Sequence, residues 1–301
     1  MIPTFPNFKK LEYSDREEIE RITSKYPPYS DFNFTSMWSW DIKEEMKISS
    51  QQGSLIVKFN DYINNEPFYS FLGENNVNNI ANQILKLCER EKIKPILKLV
   101  PEISIRSLDT EIFLIAEDID NFDYILSIDK LNKYEGSILA TKRNYVRRFI
   151  KDRYDYRFEI IDLNNQDLHE DIKEIFSDWI LEKDLSDEYT ENEFTAINRF
   201  LDISKNINLF SSAIWIDNKL VAFWLLENNG NQYVTSHFEK AKTHDYKGIY
   251  AFLVQQTSKE LLKNGILYIN HEQDLGIQGL RINKQSFDPL MHFKKFIVQK
   301  R

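Results

Sequence analysis

Apolar residues follow two periods along this chain, and the changes of period mark its elements. Val77, Ile80, Ala81, Ile84, Leu85, Leu87 and Cys88 recur at helical spacing and predict a helix over 76–90. Leu55 to Phe59, Phe68 to Leu72 and Pro95 to Val100 are short β-rich runs bounded by Gly53, Pro67 and Gly73, and predict strands. Ile112 to Ile115 and Tyr124 to Ile128 predict two more. Upstream, Ser14-Asp15-Arg16-Glu17 has the spacing of a capping box. It opens a predicted helix that runs to about Lys25 and stops before Pro27-Pro28, because proline restricts the residue ahead of it. Phe32, Phe34, Met37, Trp38 and Trp40 form an aromatic wall under a loop or short helix.

The second half repeats that order. Ile172, Ile175, Phe176, Trp179 and Ile180 give His169–Lys183 one apolar side. Thr190-Glu191-Asn192-Glu193 is a second capping-box pattern, opening a helix through Phe194, Ile197, Phe200 and Leu201. Ser212–Ile216 and Leu220–Leu226 flank Asp217-Asn218-Lys219 as a hairpin. Asn228-Asn229-Gly230-Asn231 is the next predicted turn, leading into strand 232–238. A helix over 247–263 ends at Asn264-Gly265, a glycine stop. Strand 266–270, a helix from Ile277 and a closing strand 292–298 complete the series. This order fits an α+β fold with mixed, mostly antiparallel sheets flanked by helices. Two domains fit the length, 1–135 and 136–301.

Composition narrows the function classes. Of 301 residues, 42% are hydrophobic and 29% charged, a balance that supplies a core and excludes a disordered chain. The net charge of −8 opposes nonspecific phosphate binding, so DNA is not an expected partner. The single cysteine, Cys88, excludes an internal disulfide and a cysteine metal cluster, and its helical neighbours make it a core thiol. The histidines show no metal-ligand spacing, so no metal is expected. No apolar run reaches the roughly 18 residues of a membrane span, and Met1–Lys10 has no signal pattern. A cytoplasmic protein is expected.

Three segments carry candidate chemistry. On a helix from Lys142 to Lys151, Arg143, Arg147 and Lys151 share a stripe beside Arg148, while Ile138, Leu139, Tyr145, Val146, Phe149 and Ile150 fill the opposite arc. The basic stripe reads as an anion site or as a solvated face. At the end of strand 266–270, His271, Glu272, Gln273 and Asp274 precede Gly276 and Gly279, with Arg281 and Lys284 one turn apart on the next helix. Ligands of mixed α/β sheets bind beyond the carboxyl ends of strands, so Glu272 and Asp274 are candidate acid–base groups or, equally, caps. If strand 232–238 lies beside 266–270, then His237, Glu239, Glu272 and Asp274 converge on one cleft. Gly248, at a helix start and followed by Tyr250, either admits a phosphate to backbone N–H groups or makes a turn.

Taken together, Lys142-Arg143-Asn144 with Arg148-Phe149, His237-Phe238-Glu239-Lys240-Ala241 with Gly248-Ile249-Tyr250, and Asn270 to Arg281 with Lys284 and Ser286 resemble a bacterial family of unassigned function. That family shares the phosphatidylglycerol lysyltransferase C-terminal-type domain. Tyr29-Ser30-Asp31-Phe32-Asn33-Phe34 with Trp38 looks like the same family. The resemblance implies two tandem GNAT-like acyltransferase domains. It also implies a transferase that moves an aminoacyl group from charged tRNA to a lipid headgroup or a peptide. The sequence carries no membrane-embedded half of the kind full-length lysyltransferases have, which counts against a lipid acceptor. Lys142, Arg143, Arg147, Arg148, Gly248, Tyr250, Arg281 and Lys284 are then expected to hold the donor, and Glu272, Asp274, His237 and Glu239 to act on it. Acetyl-CoA users carry a Gln/Arg-x-x-Gly-x-Gly/Ala loop; here Lys242–Ile249 keeps Gly248 alone, so acyl-CoA ranks below aminoacyl-tRNA as donor. A ligand- or RNA-binding module with drifted catalytic groups is the alternative.

Overall fold

A computed structural model describes residues 1–183 and 188–301. In chain order the elements are β1 Lys9–Lys10, α1 Arg16–Thr23, α2 Phe34–Trp40, β2 Lys47–Gln51, β3 Ser54–Asn60, β4 Pro67–Leu72, α3 Val77–Glu91, β5 Ile96–Pro101, α4 Glu102–Ile105 and β6 Phe113–Glu117. Then follow β7 Asp123–Ser127, α5 Ile128–Lys133, α6 Ala140–Lys151, β8 Tyr156–Ile161, α7 Asp167–Lys183, α8 Glu188–Ile203, β9 Ser211–Ile216, β10 Lys219–Gly230 and β11 Tyr233–Ala241. The chain closes with α9 Ile249–Lys263, β12 Tyr268–Asn270, α10 Gln278–Gln285, β13 Met291–Phe293 and β14 Lys295–Lys300.

These elements form two units. The first comprises Met1–Asp123, Gln273–Ile277 and His292–Arg301; the second comprises Tyr124–Glu272 and Gln278–Met291. The boundary expected from the sequence is 135/136. The difference arises because β14 pairs with β5 and β6 of the first sheet, so the closing strand of the chain does not close the second one.

The first sheet runs β1-β2-β3-β4-β5-β14-β6. Its one parallel pair, β4 and β5, is joined by α3, whose Ile80, Ala81, Ile84 and Cys88 are fully buried. Each of the two isoleucines stabilises the fold by about 1.5–3 kcal/mol relative to exposure. Ile84→Ala removes the middle of that face and costs about 2–5 kcal/mol. Cys88 is the core thiol expected, and burial pushes it up to about 11.

The second sheet runs β13-β7-β12-β11-β10-β9-β8. It repeats the plan: β11 and β12 are parallel and joined by α9, and β7 lies antiparallel to β12 as β14 does to β5. Trp224, Leu226, Val234, Phe252, Leu253 and Ile269 fill its core. The β9–β10 hairpin turns at Asp217-Asn218, both at positive φ, which short polar side chains tolerate.

Several local expectations shift. The capping box forms two residues early, where the Asp15 carboxylate accepts the Glu12 N–H at 3.0 Å. Helix α8 begins at Glu188, upstream of the Thr190 pattern. The turn after β10 falls at Asn231-Gln232, because Asn228 to Gly230 extend the strand. The closing strand is broken at Lys294 into β13 and β14. Five elements, β1, β2, α4, α5 and β8, have no counterpart among the expected ones. Of the expected apolar arc, Leu139, just ahead of α6, and Val146 and Phe149 on it are buried, but Ile138, Tyr145 and Ile150 are exposed. A two-residue buried seam is enough because Phe149 stacks on Phe252 of α9, 4.7 Å between ring centres.

Candidate active site

The site is built where β11 hands over to α9. Gly248 caps α9 at φ +88, a left-handed conformation. A Cβ there would sit 2.2 Å from the Tyr145 carbonyl oxygen of α6. Only glycine permits that approach, and the approach lets α6 wall a cavity over the start of α9. The cavity holds about 450 Å³ and is lined by Lys142, Tyr145, Glu239, Gly248, Tyr250 and Phe287, among others. Tyr250 ties its rim to β11, its phenol oxygen accepting the Ala241 N–H at 3.1 Å.

Two ionisable groups in this cavity are shifted toward each other. Burial pushes the Glu239 carboxyl up to about 7, against the charges of Lys142, Lys240 and Lys284. Burial pulls the Lys142 ammonium down to about 8, against the charge of Glu239. Lys142 Nζ lies 3.7 Å from the Phe287 ring centre, a cation–π contact. His271 Nε2 is 3.9 Å from Glu239 Oε2, beyond a hydrogen bond. Burial, then the charges of Lys284 and Lys142, hold His271 well below its ordinary range, so its imidazole is neutral. Glu239 Oε1 and His271 Nδ1 are both buried without a hydrogen-bond partner. Orphaned buried atoms of this kind call for an explanation, of which a catalytic role is one.

Beneath lies a closed charge cluster. His237 Nε2 is 3.1 Å from Glu227 Oε2, and its Nδ1 is 3.5 Å from Glu272 Oε1. Burial lowers the imidazole, but the bonds to Glu227 and Glu272 outweigh it and raise His237 to about 9. The β10–β11 ladder slips here. Leu226 faces Ser236 and Leu225 faces Phe238, so His237 is the extra residue of a bulge. The bulge turns a strand residue onto two carboxylates that no sequence spacing pairs with it.

The expected site residues therefore separate by role. Lys142, Glu239, Gly248 and Tyr250 line the cavity, and His237 and Glu272 belong to the closed cluster. Lys284 of α10 donates to the His271 carbonyl, while Arg281 sits half-buried on the same helix. Arg143 turns back to the carbonyls of Tyr134 and Gly136, which places it as a cap on α5. Arg147 and Arg148 are exposed. Asp274 belongs to the first unit, where its carboxylate accepts the Gly276 N–H at 2.8 Å; a cap, not a member of the His237 cluster. Glu227 and Phe287 escaped the sequence reading. Glu227 had a faint signal: it is the charge that ends the apolar run Leu220–Leu226.

The model of the phosphatidylglycerol lysyltransferase C-terminal family matches residues 23–299. The chain belongs to that family. Among solved structures, a conserved protein of unknown function from Bacteroides thetaiotaomicron is 25% identical over 100% of both chains, with a TM-score of 0.84. The C-terminal domain of a lysylphosphatidylglycerol synthetase from Agrobacterium fabrum is 13% identical, with 95% of this chain and 90% of that one covered and a TM-score of 0.66. The L-PGS of Bacillus licheniformis is 12% identical, with 99% and 93% covered and a TM-score of 0.61. No curated protein matches. The α+β fold class, with two mixed sheets flanked by helices, is the one the structure has. Among the described residues, no helix is long and apolar enough to cross a membrane.

Proposed function

We propose that the second unit transfers an aminoacyl group from the ester end of a charged tRNA to an amine or hydroxyl acceptor. The observation that supports this most is the Lys142–Glu239 pair, whose opposed shifts put a carboxylate and an ammonium near neutrality beside one cavity. In the step, the acceptor heteroatom attacks the ester carbonyl and gives its proton to the Glu239 carboxylate. The Lys142 ammonium stabilises the developing oxyanion. The C–O bond then breaks, and the ribose oxygen leaves with the proton that Glu239 carries. The step balances without metal or redox partner.

The exposed face of Arg147 and Arg148 supplies phosphate contacts for the tRNA in this reading. An acyl-CoA donor is the weaker choice. The Ile249 N–H, a first-turn donor of α9, bonds the Tyr246 carbonyl at 3.3 Å, and Gly248 is the only glycine of the loop. The tandem reading, in which each sheet is one GNAT-like domain, is part of the same proposal.

Thermal shift with charged tRNA, uncharged tRNA and acetyl-CoA in parallel tests it. A ligand at ~100 times its Kd adds roughly 2.7 kcal/mol, worth about 2–4 °C per kcal/mol for units of this size. A shift with charged tRNA only is expected. A shift with acetyl-CoA only would replace the donor, and no shift with either would leave a binding module for other ligands.

A further inference from the structure

The first unit has a cavity of its own, of about 260 Å³, on which the transfer reading makes no demand. Its walls include Asp61, Asp118, Asp120, Lys98, Phe68 and Leu99. Lys98 is the one cation among the described lining residues, and it is engaged by Asp61 at 3.0 Å. Asp118 is 8% exposed. Its Oδ1 accepts the Asn121 side-chain amide at 2.9 Å, but its Oδ2 is buried with no hydrogen-bond partner. Leaving an acceptor so buried costs about 1–3 kcal/mol unless something donates to it.

We infer that this cavity binds a small organic cation, a primary alkylammonium whose head donates to Asp118 Oδ2 and whose stem lies along Phe68 and Leu99. The charge balance of the wall calls for a cation. The Phe68 ring already attracts one, with Lys98 Nζ 5.3 Å from its centre. An ammonium brings three donors to a site rich in acceptors. No group of three His, Cys, Asp or Glu among the described residues is placed to hold a metal ion, so an organic cation fits better than a divalent one. The volume falls below the ~300–1,000 Å³ of drug-sized pockets and suits a short chain. Leu99 stands at φ +54, a strained conformation for a non-glycine residue that is held at the cavity wall.

Calorimetric titration of the whole protein with cadaverine tests the inference, with 1,5-pentanediol as the neutral isostere and calcium chloride as a third arm. Cadaverine is expected to bind and the diol not to bind. Asp118→Asn should weaken cadaverine about tenfold to a hundredfold, the worth of a charged hydrogen bond. Ile63 lines the mouth and is 55% exposed, so Ile63→Trp should block binding without touching the core. That variant decides the matter if Asp118→Asn fails to fold. Absence of cadaverine binding at millimolar concentration, undiminished binding by either folded variant, or displacement by calcium would each overturn the inference.

Discussion

One lysine of each unit is set against carboxylates, fully buried in the first and half-buried in the second, and the two behave in opposite ways. Lys295 in the first unit is fully buried against Asp31 and Asp123, with Nζ 2.7 Å from Asp123 Oδ1 and hydrogen-bonded to Ser30 and Gln273. Burial lowers its proton affinity, but two carboxylates in contact outweigh that and leave it raised above its ordinary value. Lys142 in the second unit meets one carboxylate electrostatically and a phenyl ring face, so burial prevails and it falls to about 8. Surroundings rather than burial alone decide the outcome: a saturated shell locks a charge, and an incomplete one leaves it free to exchange a proton. The incomplete shell is the one that faces a cavity.

Substitutions should separate the two kinds of lysine, in decreasing order of effect. Lys295→Met leaves Asp31 and Asp123 buried and uncompensated, and should cost about 3–5 kcal/mol. At about 2–4 °C per kcal/mol, its melting temperature should fall by roughly 10 °C. Lys142→Met, by contrast, should melt close to the wild type. Equal losses in both variants would erase the distinction. Next in size is Gly248→Ala, whose methyl meets the Tyr145 carbonyl at a positive φ. Strain of about 1–3 kcal/mol is expected, read as a lower denaturation midpoint with an unchanged slope.

Glu239→Gln should be smaller in stability and large in activity. A carboxyl raised to about 7 is favoured when protonated, so its contribution to stability falls as pH rises from the ordinary range near 4.5 through 7. Glutamine mimics the protonated form. The variant should therefore melt above the wild type at pH 8, and the gap should close below about pH 5. Its transfer rate should drop by about 10²–10⁴. Wild-type transfer should follow a bell between limbs near 7 and 8, and the acid limb should vanish in this variant. The smallest effect is on the surface. Arg147→Ala should leave melting unchanged and reduce the salt dependence of tRNA binding by about one phosphate contact. Arg143→Ala should instead loosen the end of α5 and leave that salt dependence alone.

The α+β class was legible because short β-rich runs bounded by glycine and proline mark β3 and β4, and helical periods mark α3 and α9. The helix joining each parallel pair was readable for the same reason. The placing of β7 and β14 was not, because strand order is a matter of long-range pairing that no local period records. Of the site, Gly248, Lys142 and Glu239 were visible as residues, since a glycine, a basic helix and a strand-end carboxylate are local signals. Their division into an open pair and the closed His237–Glu227–Glu272 cluster was hidden. It depends on a one-residue bulge at His237 and on Glu227, ten positions away across a ladder.

The comparison of the two lysines is tested most directly by labelling amines with a limiting acylating reagent across pH 6–11 and reading each lysine by mass spectrometry. Lys142 should label half-maximally near pH 8, and at lower pH still in Glu239→Gln, because the charge that holds its proton is gone. Lys295 should stay unlabelled across the range while the protein is folded. Labelling of Lys142 that rises only above pH 10 would contradict the account, as would labelling of Lys295 in step with Lys142.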